Sequence, residues 1–161
     1  MGAVLLAVAA GAQAQGARGK AEATIGGKRI AVDYGRPELK GRDMLTRAPE
    51  GTVWRMGMNQ ATTIETEGDL VFGDVTIPKG AYSLFAKRTG EKSWVLIFNK
   101  QTGQWGTRHD VSQDLASVPL AWKGKDDSTE LFTIQVASTA KGGDFKMTWG
   151  TSVLETPFEV R

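Results

Sequence analysis

The stretch AEATIGGKRIAVDY, residues 21–34, carries the pattern that decides the fold class of this chain. Two runs with alternating apolar and β-branched residues, AEATI and KRIAVDY, flank the pair Gly26-Gly27. A glycine pair tolerates the positive φ angles that a two-residue hairpin loop demands. The stretch therefore predicts a β-hairpin that ends at Tyr34.

The same rhythm continues along the rest of the chain, where Gly and Pro recur about every eight to twelve residues. Further strands are predicted at residues 62–66, 70–77, 82–87, 94–98, 115–122, 130–137, 145–149 and 153–160. The run WVLIF, residues 94–98, is apolar on both faces and indicates a central strand. Pro119 cannot donate to a ladder, which favours an edge position for residues 115–122. We expect an all-β, single-domain antiparallel β-sandwich, jelly-roll-like, of about nine or ten strands with one long ordered loop.

The first residues, MGAVLLAVAAGAQAQG, resemble a cleaved secretory signal. The apolar run 4–10 is far shorter than the roughly 20 residues of a membrane-spanning helix, and Ala12-Gln13-Ala14 offers a signal-peptidase site. No Lys or Arg precedes the run, which leaves open an atypical signal, an upstream start or a buried N-terminal helix. We expect a signal peptide over residues 1–14, a β-sandwich domain over 15–161, and a periplasmic or secreted location.

Composition narrows the possible function classes. The net charge of +2 does not predict nucleic-acid binding, which is usually marked by a strongly basic face. The absence of Cys excludes disulfides, thiol nucleophiles and thiolate metal sites. With a single His and neither a G-x-S-x-G nor an H-E-x-x-H motif, no catalytic residue, metal site or cofactor is predicted.

The segment YGRPELKGRDMLTRAPEGTVWRMG, residues 34–57, has neither a helical nor a strand period. Structureless segments longer than about 12–15 residues are uncommon in compact domains unless they are functional or disordered. Its apolar residues and prolines favour an ordered loop that carries four arginines, Arg36, Arg42, Arg47 and Arg55. Guanidinium groups form bidentate pairs with carboxylates and phosphates, so the arginines could converge on an anionic ligand. Alternatively they pair with the acids Asp33, Glu38, Asp43 and Glu50 and staple the loop.

A second polar connection, QTGQWGTRHDVSQD at residues 101–114, adds an aromatic residue and the single histidine. The predicted ligand contacts from both segments are Tyr34, Arg36, Arg42, Trp54, Arg55, Asn59, Thr62, Trp105 and His109. Trp54 and Trp105 could instead anchor their loops, and Asn59 could cap a turn. Asp110 or Asp114 could orient His109 as a general base, although a surface histidine is the default interpretation.

Several motifs in these segments resemble the signature of domain of unknown function 2911, a family of exported bacterial proteins without an assigned activity. They are Tyr34-Gly35-Arg36-Pro37, Lys40-Gly41-Arg42, Val53-Trp54-Arg55-x-Gly57-x-Asn59-x-Ala61-Thr62, Ile77-Pro78-x-Gly80-x-Tyr82, Trp94, Asn99, Trp105-Gly106 and Glu130-x-Phe132-Thr133-Ile134. The similarity covers roughly residues 28–160. It implies export and a compact β domain.

Three hypotheses about function follow. The leading one is a non-enzymatic binding domain for a small polar or anionic ligand or an envelope glycan. The alternatives are a periplasmic hydrolase acting on a glycan or ester, and a structural or protein-interaction module of the cell envelope. No nucleic acid, cofactor or membrane span is expected, and the sequence leaves the oligomeric state open.

Overall fold

The computed structural model describes residues 17–161, and these form one ten-stranded antiparallel sheet that is not closed into a barrel. The strands are β1 (Arg18–Ile25), β2 (Lys28–Gly35), β3 (Val53–Trp54), β4 (Thr62–Thr66), β5 (Leu70–Phe72), β6 (Val75–Ile77), β7 (Gly80–Gly90), β8 (Ser93–Asn99), β9 (Asp114–Thr139) and β10 (Gly142–Val160). Their order is β1-β2-β4-β7-β8-β9-β10-β5-β6, with β3 paired to β7. A short helix, α1 (Met44–Arg47), and a 3-10 turn, Val111–Gln113, complete the structure. The predicted all-β sandwich is confirmed.

The first hairpin forms as its glycine pair predicts. Ile25 and Lys28 are the last paired residues, and Gly26 and Gly27 adopt φ angles of 58° and 79° between them. Residues with a Cβ rarely take two successive positive φ angles, so this turn depends on glycine.

The sheet curves so that strands far apart in its order pack face to face. Tyr34 of β2 meets Phe132 of β9 edge-on at 5.6 Å, and Trp54 of β3 stacks on Trp149 of β10 at 5.5 Å. Phe132 also contacts Trp54 at 4.9 Å, so these four rings form one aromatic cluster. The cluster belongs to a single hydrophobic core that includes residues from every strand.

The prediction of one strand over residues 70–77 is wrong. The segment is a hairpin, in which Phe72 pairs with Val75 and Gly73 takes a φ of 61°. The turn places Leu70, Phe72, Val75 and Ile77 on the same face. One continuous strand would have divided these apolar side chains between two faces, so the hairpin buries more apolar surface.

The prediction of an edge strand over residues 115–122 is confirmed where Pro119 lies, since residues 116–120 pair with β8 alone and only Ala121 and Trp122 of this stretch pair with β10. These residues open β9, which lies between β8 and β10. Pro119 pairs with Val95 of β8, whereas the ladder to β10 reaches only as far as Ala121. A strand residue directs its amide to one neighbour alone, and Pro119 has no β10 partner that requires a donor.

No helix within residues 17–161 is long and apolar enough to cross a bilayer. The predicted signal peptide, residues 1–14, lies outside the described residues.

Candidate functional site

The chain that directly follows the arginine-rich segment is hydrogen-bonded to the second polar segment, residues 101–114. The amide of Gly106 donates to the carbonyl oxygen of Asn59 at 2.7 Å, and the amide of Ala61 donates to that of Gln104 at 3.0 Å. Between these bonds, Gln60 and Trp105 form an isolated antiparallel bridge. Residues 59–61 and 104–106 therefore make a short seam, which we call the 60/105 seam.

Both ends of the arginine-rich segment, residues 34–57, meet beside this seam. A Cβ atom added to Gly35 would collide with the backbone of Met58, and one added to Gly57 would lie 2.8 Å from the Gly35 carbonyl oxygen. Gly57 also has a φ of 155°. The close backbone approach at these two glycines holds the start and the end of the segment together.

Three of the predicted contact residues lie in the core. Tyr34, Trp54 and Thr62 are at most 3% exposed. The Tyr34 hydroxyl donates to the Ile134 carbonyl oxygen at 3.4 Å, and the Thr62 hydroxyl donates to the Met56 carbonyl oxygen at 2.7 Å. Their side chains support the segment from beneath and do not reach solvent.

Arg36 anchors the start of the segment to β9. Its Nε donates to the Phe132 carbonyl oxygen at 3.1 Å, and its Nη2 donates to the Thr133 hydroxyl at 2.9 Å. Arg36 is thus a staple, but its partners are neutral groups and not the acids that the stapling hypothesis named.

Those acids are engaged elsewhere or stand apart from the arginines. Asp33 pairs with Arg18, and Asp43 caps α1 by accepting from the Thr46 amide at 3.3 Å. The Glu38 carboxylate oxygen Oε2 lies 3.8 Å from the Lys40 Nζ atom. Within residues 17–161, none of the ion pairs includes an arginine of the 34–57 segment.

The segment is held instead by Arg88, a residue that the sequence analysis missed. Arg88 is 9% exposed and donates only to carbonyl oxygens. Its acceptors are Thr46 at 3.0 Å, Ala48 at 2.7 Å, Gly90 at 2.9 Å, and Glu91. Since Thr46 and Ala48 belong to the helical turn of the segment, this buried guanidinium fixes the segment to the β7–β8 hairpin.

Arg18 of β1 is a second missed anchor, located at the 60/105 seam. Its Nη1 donates to the carbonyl oxygens of Met58 and Gln60 at 3.2 and 3.3 Å, while its Nη2 pairs with Asp33. These bonds order the chain that precedes β4. No sequence pattern identifies its anchoring role, because the backbone atoms to which it donates lie about 40 residues away.

Arg55 has a different environment from the anchoring arginines. It is half-buried, and a Cβ atom placed on Gly106 would lie 2.9 Å from its Cδ atom. Its stem therefore runs directly over the Gly106 backbone. No hydrogen bond or ion pair joins the Arg55 guanidinium to another group within residues 17–161.

The chain around Gly106 adds an exposed aromatic residue and a second cation. The amide of Arg108 donates to the Trp105 carbonyl oxygen at 2.9 Å, which closes a turn over residues 105–108. Trp105 is 49% exposed, and Arg108 is exposed. The Arg55 guanidinium therefore lies beside a turn that carries the exposed indole of Trp105 and the exposed side chain of Arg108. Arg42 is also exposed, but it lies on the side of β9, where its backbone amide donates to the Leu39 carbonyl oxygen.

His109 lies at the other end of this loop in a hydrogen-bonded group. Its Nε2 is 2.8 Å from the Asp114 carboxylate, and its ring packs on Phe85 at 4.5 Å. Asn99 is fully buried and donates to the same Asp114 oxygen at 2.8 Å and to the Asp110 carbonyl oxygen at 2.9 Å. Asp114 is therefore the acid that orients His109.

Asp110 has a capping role. Its carboxylate accepts from the Ser112 hydroxyl at 2.7 Å and from the Ser112 amide at 3.0 Å. These bonds, the hydroxyl bond first, lower the pKa of the Asp110 carboxyl, with a smaller contribution from nearby His109. The cap holds the 3-10 turn that leads into β9.

The family described as "Protein of unknown function (DUF2911)" matches residues 17–158 of the chain. The chain belongs to this family. The DUF2911 match extends from the residue before β1 almost to the end of β10, so it includes both polar segments. No curated protein and no solved structure shows significant similarity to the chain.

The motifs that carry the DUF2911 resemblance have two kinds of role in the structure. Gly35, Gly57 and Gly106 permit close backbone approach, while Trp54 fills the core. Arg55 extends a half-buried charged group that has no partner within residues 17–161.

Proposed function

We propose that this chain is an exported, non-enzymatic binding domain for a small anionic ligand, of which a carboxylate-bearing envelope glycan is the preferred example. The ligand binds at the 60/105 seam. The observation that carries the proposal is the half-buried Arg55 guanidinium, which has no protein partner within residues 17–161.

The burial of Arg55 makes an anionic ligand the natural complement. A guanidinium that loses part of its hydration needs compensating acceptors, and a carboxylate or phosphate supplies two in the matching planar arrangement. The stem is confined by Gly106, so little side-chain freedom remains to be lost on binding. The site is thus preorganised for one bidentate pair.

Trp105 and Arg108 give the site shape and further positive charge. A half-exposed indole offers a flat apolar face on which a sugar ring can pack. Arg108, on the same turn, adds long-range attraction for an anion. Arg42 and His109, which the sequence also predicts as ligand contacts, are outside this minimal site. The Arg36 guanidinium is already hydrogen-bonded to β9.

Isothermal titration calorimetry tests the proposal, with tri-galacturonate as the anionic probe and maltotriose as the neutral control. We expect tri-galacturonate to bind with a Kd in the millimolar range or tighter, and Arg55→Met to weaken it about tenfold or more, because a charged hydrogen bond contributes roughly 1.5–3 kcal/mol. Arg47→Met is the matched control, since Arg47 is exposed on the same segment. Equal affinity of the Arg55→Met and wild-type proteins would refute the placement of the site.

A hydrolase is the second candidate, and the His109–Asp114 hydrogen bond is the observation that favours it. Asp114 is held by Asn99, so the imidazole has a fixed orientation suited to a general base. A panel of p-nitrophenyl esters and glycosides tests this candidate. Turnover that disappears in His109→Ala, while the melting temperature is retained, would establish catalysis, whereas no turnover in the wild type would count against it.

A further inference from the structure

A groove of about 420 Å³ crosses the outer face of the sheet over β7, β8 and β9, and Arg55 does not line it. Val95 and Ile97 of β8 form its floor. Val53 borders one side, and Val111 and Leu115 border the other. The volume falls within the range of about 300–1,000 Å³ that is typical of small-molecule sites.

The groove gathers most of the large hydrophobic side chains that are exposed in the described structure. Within residues 17–161, four large hydrophobic side chains are exposed: Val53 (37%), Trp105 (49%), Val111 (74%) and Leu115 (40%). Three of these four line this one groove. Scattered exposed hydrophobics are ordinary, but a contiguous group around a concavity indicates a binding surface.

The charges around the groove indicate the sign of the ligand's head group. Lys87 of β7 is exposed at the rim, and its ammonium group makes no ion pair or hydrogen bond within residues 17–161. Asp114 is the only acid that lines the described groove, and Asn99 and His109 already occupy one of its oxygens. Lys87 therefore carries the charged group of the lining that has no hydrogen-bond partner.

We propose that this groove binds an amphiphilic carboxylate, with a single medium-length acyl chain along the Val95–Ile97 floor and its carboxylate at Lys87. An acyl chain matches the aliphatic lining, and the carboxylate is complementary to the Lys87 ammonium. A protein partner is disfavoured because a stable interface buries more than about 1,000 Å², whereas the exposed aliphatic group here consists of three side chains. The inference is independent of the site at Arg55.

The experiment is calorimetric titration of the purified chain with decanoate, with decanol and decyltrimethylammonium as head-group controls, all below their micellar concentrations. We expect saturable decanoate binding, at least threefold weaker binding of decanol, and no detectable binding of the cation. Lys87→Gln should bring decanoate to the decanol affinity. Lys79→Gln, which changes an exposed lysine outside the groove, should leave decanoate binding unchanged.

The aliphatic walls are tested with two variants that spare the core. Leu115→Asp and Val111→Asp each place a carboxylate in the groove at a position that is 40% or 74% exposed, so folding should persist by circular dichroism. Each should reduce decanoate affinity at least tenfold. Absence of saturable decanoate binding, equal affinities for decanoate and decanol in the wild type, or unchanged binding in both folded aspartate variants would overturn the proposal. A wild-type chain that dimerises through this face and excludes decanoate would do the same.

Discussion

The amide nitrogen of Gly106 lies 2.7 Å from the carbonyl oxygen of Asn59, and the Arg55 side chain passes over the same glycine. One residue without a side chain thus joins two segments that are more than 40 positions apart in the sequence and also confines the arginine. The candidate ligand site depends on this contact more than on the arginine-rich composition of the 34–57 segment.

Substitution of Gly106 should damage both the seam and the site. In Gly106→Ala, the new methyl group would lie 2.9 Å from Arg55 Cδ and 3.0 Å from the Asn59 carbonyl oxygen. We expect a loss of about 1–3 kcal/mol of unfolding free energy, as is usual for overpacking, together with weaker tri-galacturonate binding. Denaturant unfolding measures the first effect.

The matched control is Gly124→Ala in β9, where the nearest atom to a new Cβ would be 3.5 Å away. That variant should differ from the wild type by less than about 1 kcal/mol. Similar losses of unfolding free energy in the two variants would mean that the close contacts at Gly106 do not contribute specifically to stability.

Arg88 should be the arginine on which stability depends. In Arg88→Met, four backbone carbonyl groups lose a charged donor in a site that is 9% exposed, so we expect a cost of about 2–4 kcal/mol. Arg42→Met, which alters an exposed arginine of the 34–57 segment, should change the unfolding free energy by less than about 0.5 kcal/mol. Thermal and urea unfolding provide the comparison, and the reverse ranking would show that Arg42 staples the segment.

Asp144 of β10 should make the protein less stable at neutral pH than its amide variant. Burial, followed by repulsion from Glu155, raises the pKa of the Asp144 carboxyl despite the opposing charges of Lys146 and Lys123. The folded state thus binds this proton more tightly than the unfolded chain does, so the ionised carboxylate disfavours folding once the pH exceeds the unfolded pKa of about 3.9.

Asp144→Asn should therefore raise the melting temperature at pH 7 by about 1–2 °C, since charge effects at partly exposed sites seldom exceed about 1 kcal/mol. The gain should vanish below about pH 4. Asp126→Asn, at an exposed position in β9, provides the control. A gain that is the same at pH 3.5 and pH 7 would exclude the ionisation of Asp144 as its cause.

Export can be tested at the N-terminus. If the signal peptide is cleaved after Ala14, the mature chain begins at Gln15 and keeps all residues of the described structure, including β1 from Arg18. We expect intact-protein mass spectrometry of the periplasmic fraction of a bacterial host to give the mass of residues 15–161. Recovery of only the full-length chain from the cytoplasm would contradict this expectation.

Local sequence patterns predict much of this fold, but they fail where the same residues are compatible with two different arrangements of strands and turns. Gly26-Gly27 identifies the first hairpin because the requirement for positive φ is local. Alternation along residues 70–77 places Gly73-Asp74 within a strand, although a turn there aligns Leu70, Phe72, Val75 and Ile77 on one face. The sequence itself contains that alignment, because all four apolar residues share a face only if residues 73–74 form a turn.

The site was harder to predict because its contacts are between distant segments. The alternation of Tyr82, Leu84 and Ala86 continues to Arg88, which indicates an inward arginine, but nothing in the sequence names its carbonyl partners. Arg55 and Arg36 belong to the same segment and look alike in sequence. Only the tertiary structure distinguishes the arginine that bonds to β9 from the one that lies over Gly106.

The most direct test of the account observes Trp105 while an anion is added. The measurement is the chemical shift of the Trp105 indole NH in ¹H–¹⁵N spectra, assigned with Trp105→Phe, during titration with tri-galacturonate or maltotriose. The account predicts a saturable shift with tri-galacturonate, little change with maltotriose, and loss of the shift in Arg55→Met but not in Arg47→Met. A Trp105 signal that is unmoved by tri-galacturonate, or that moves equally in the wild type and in Arg55→Met, would contradict an anion site at this seam.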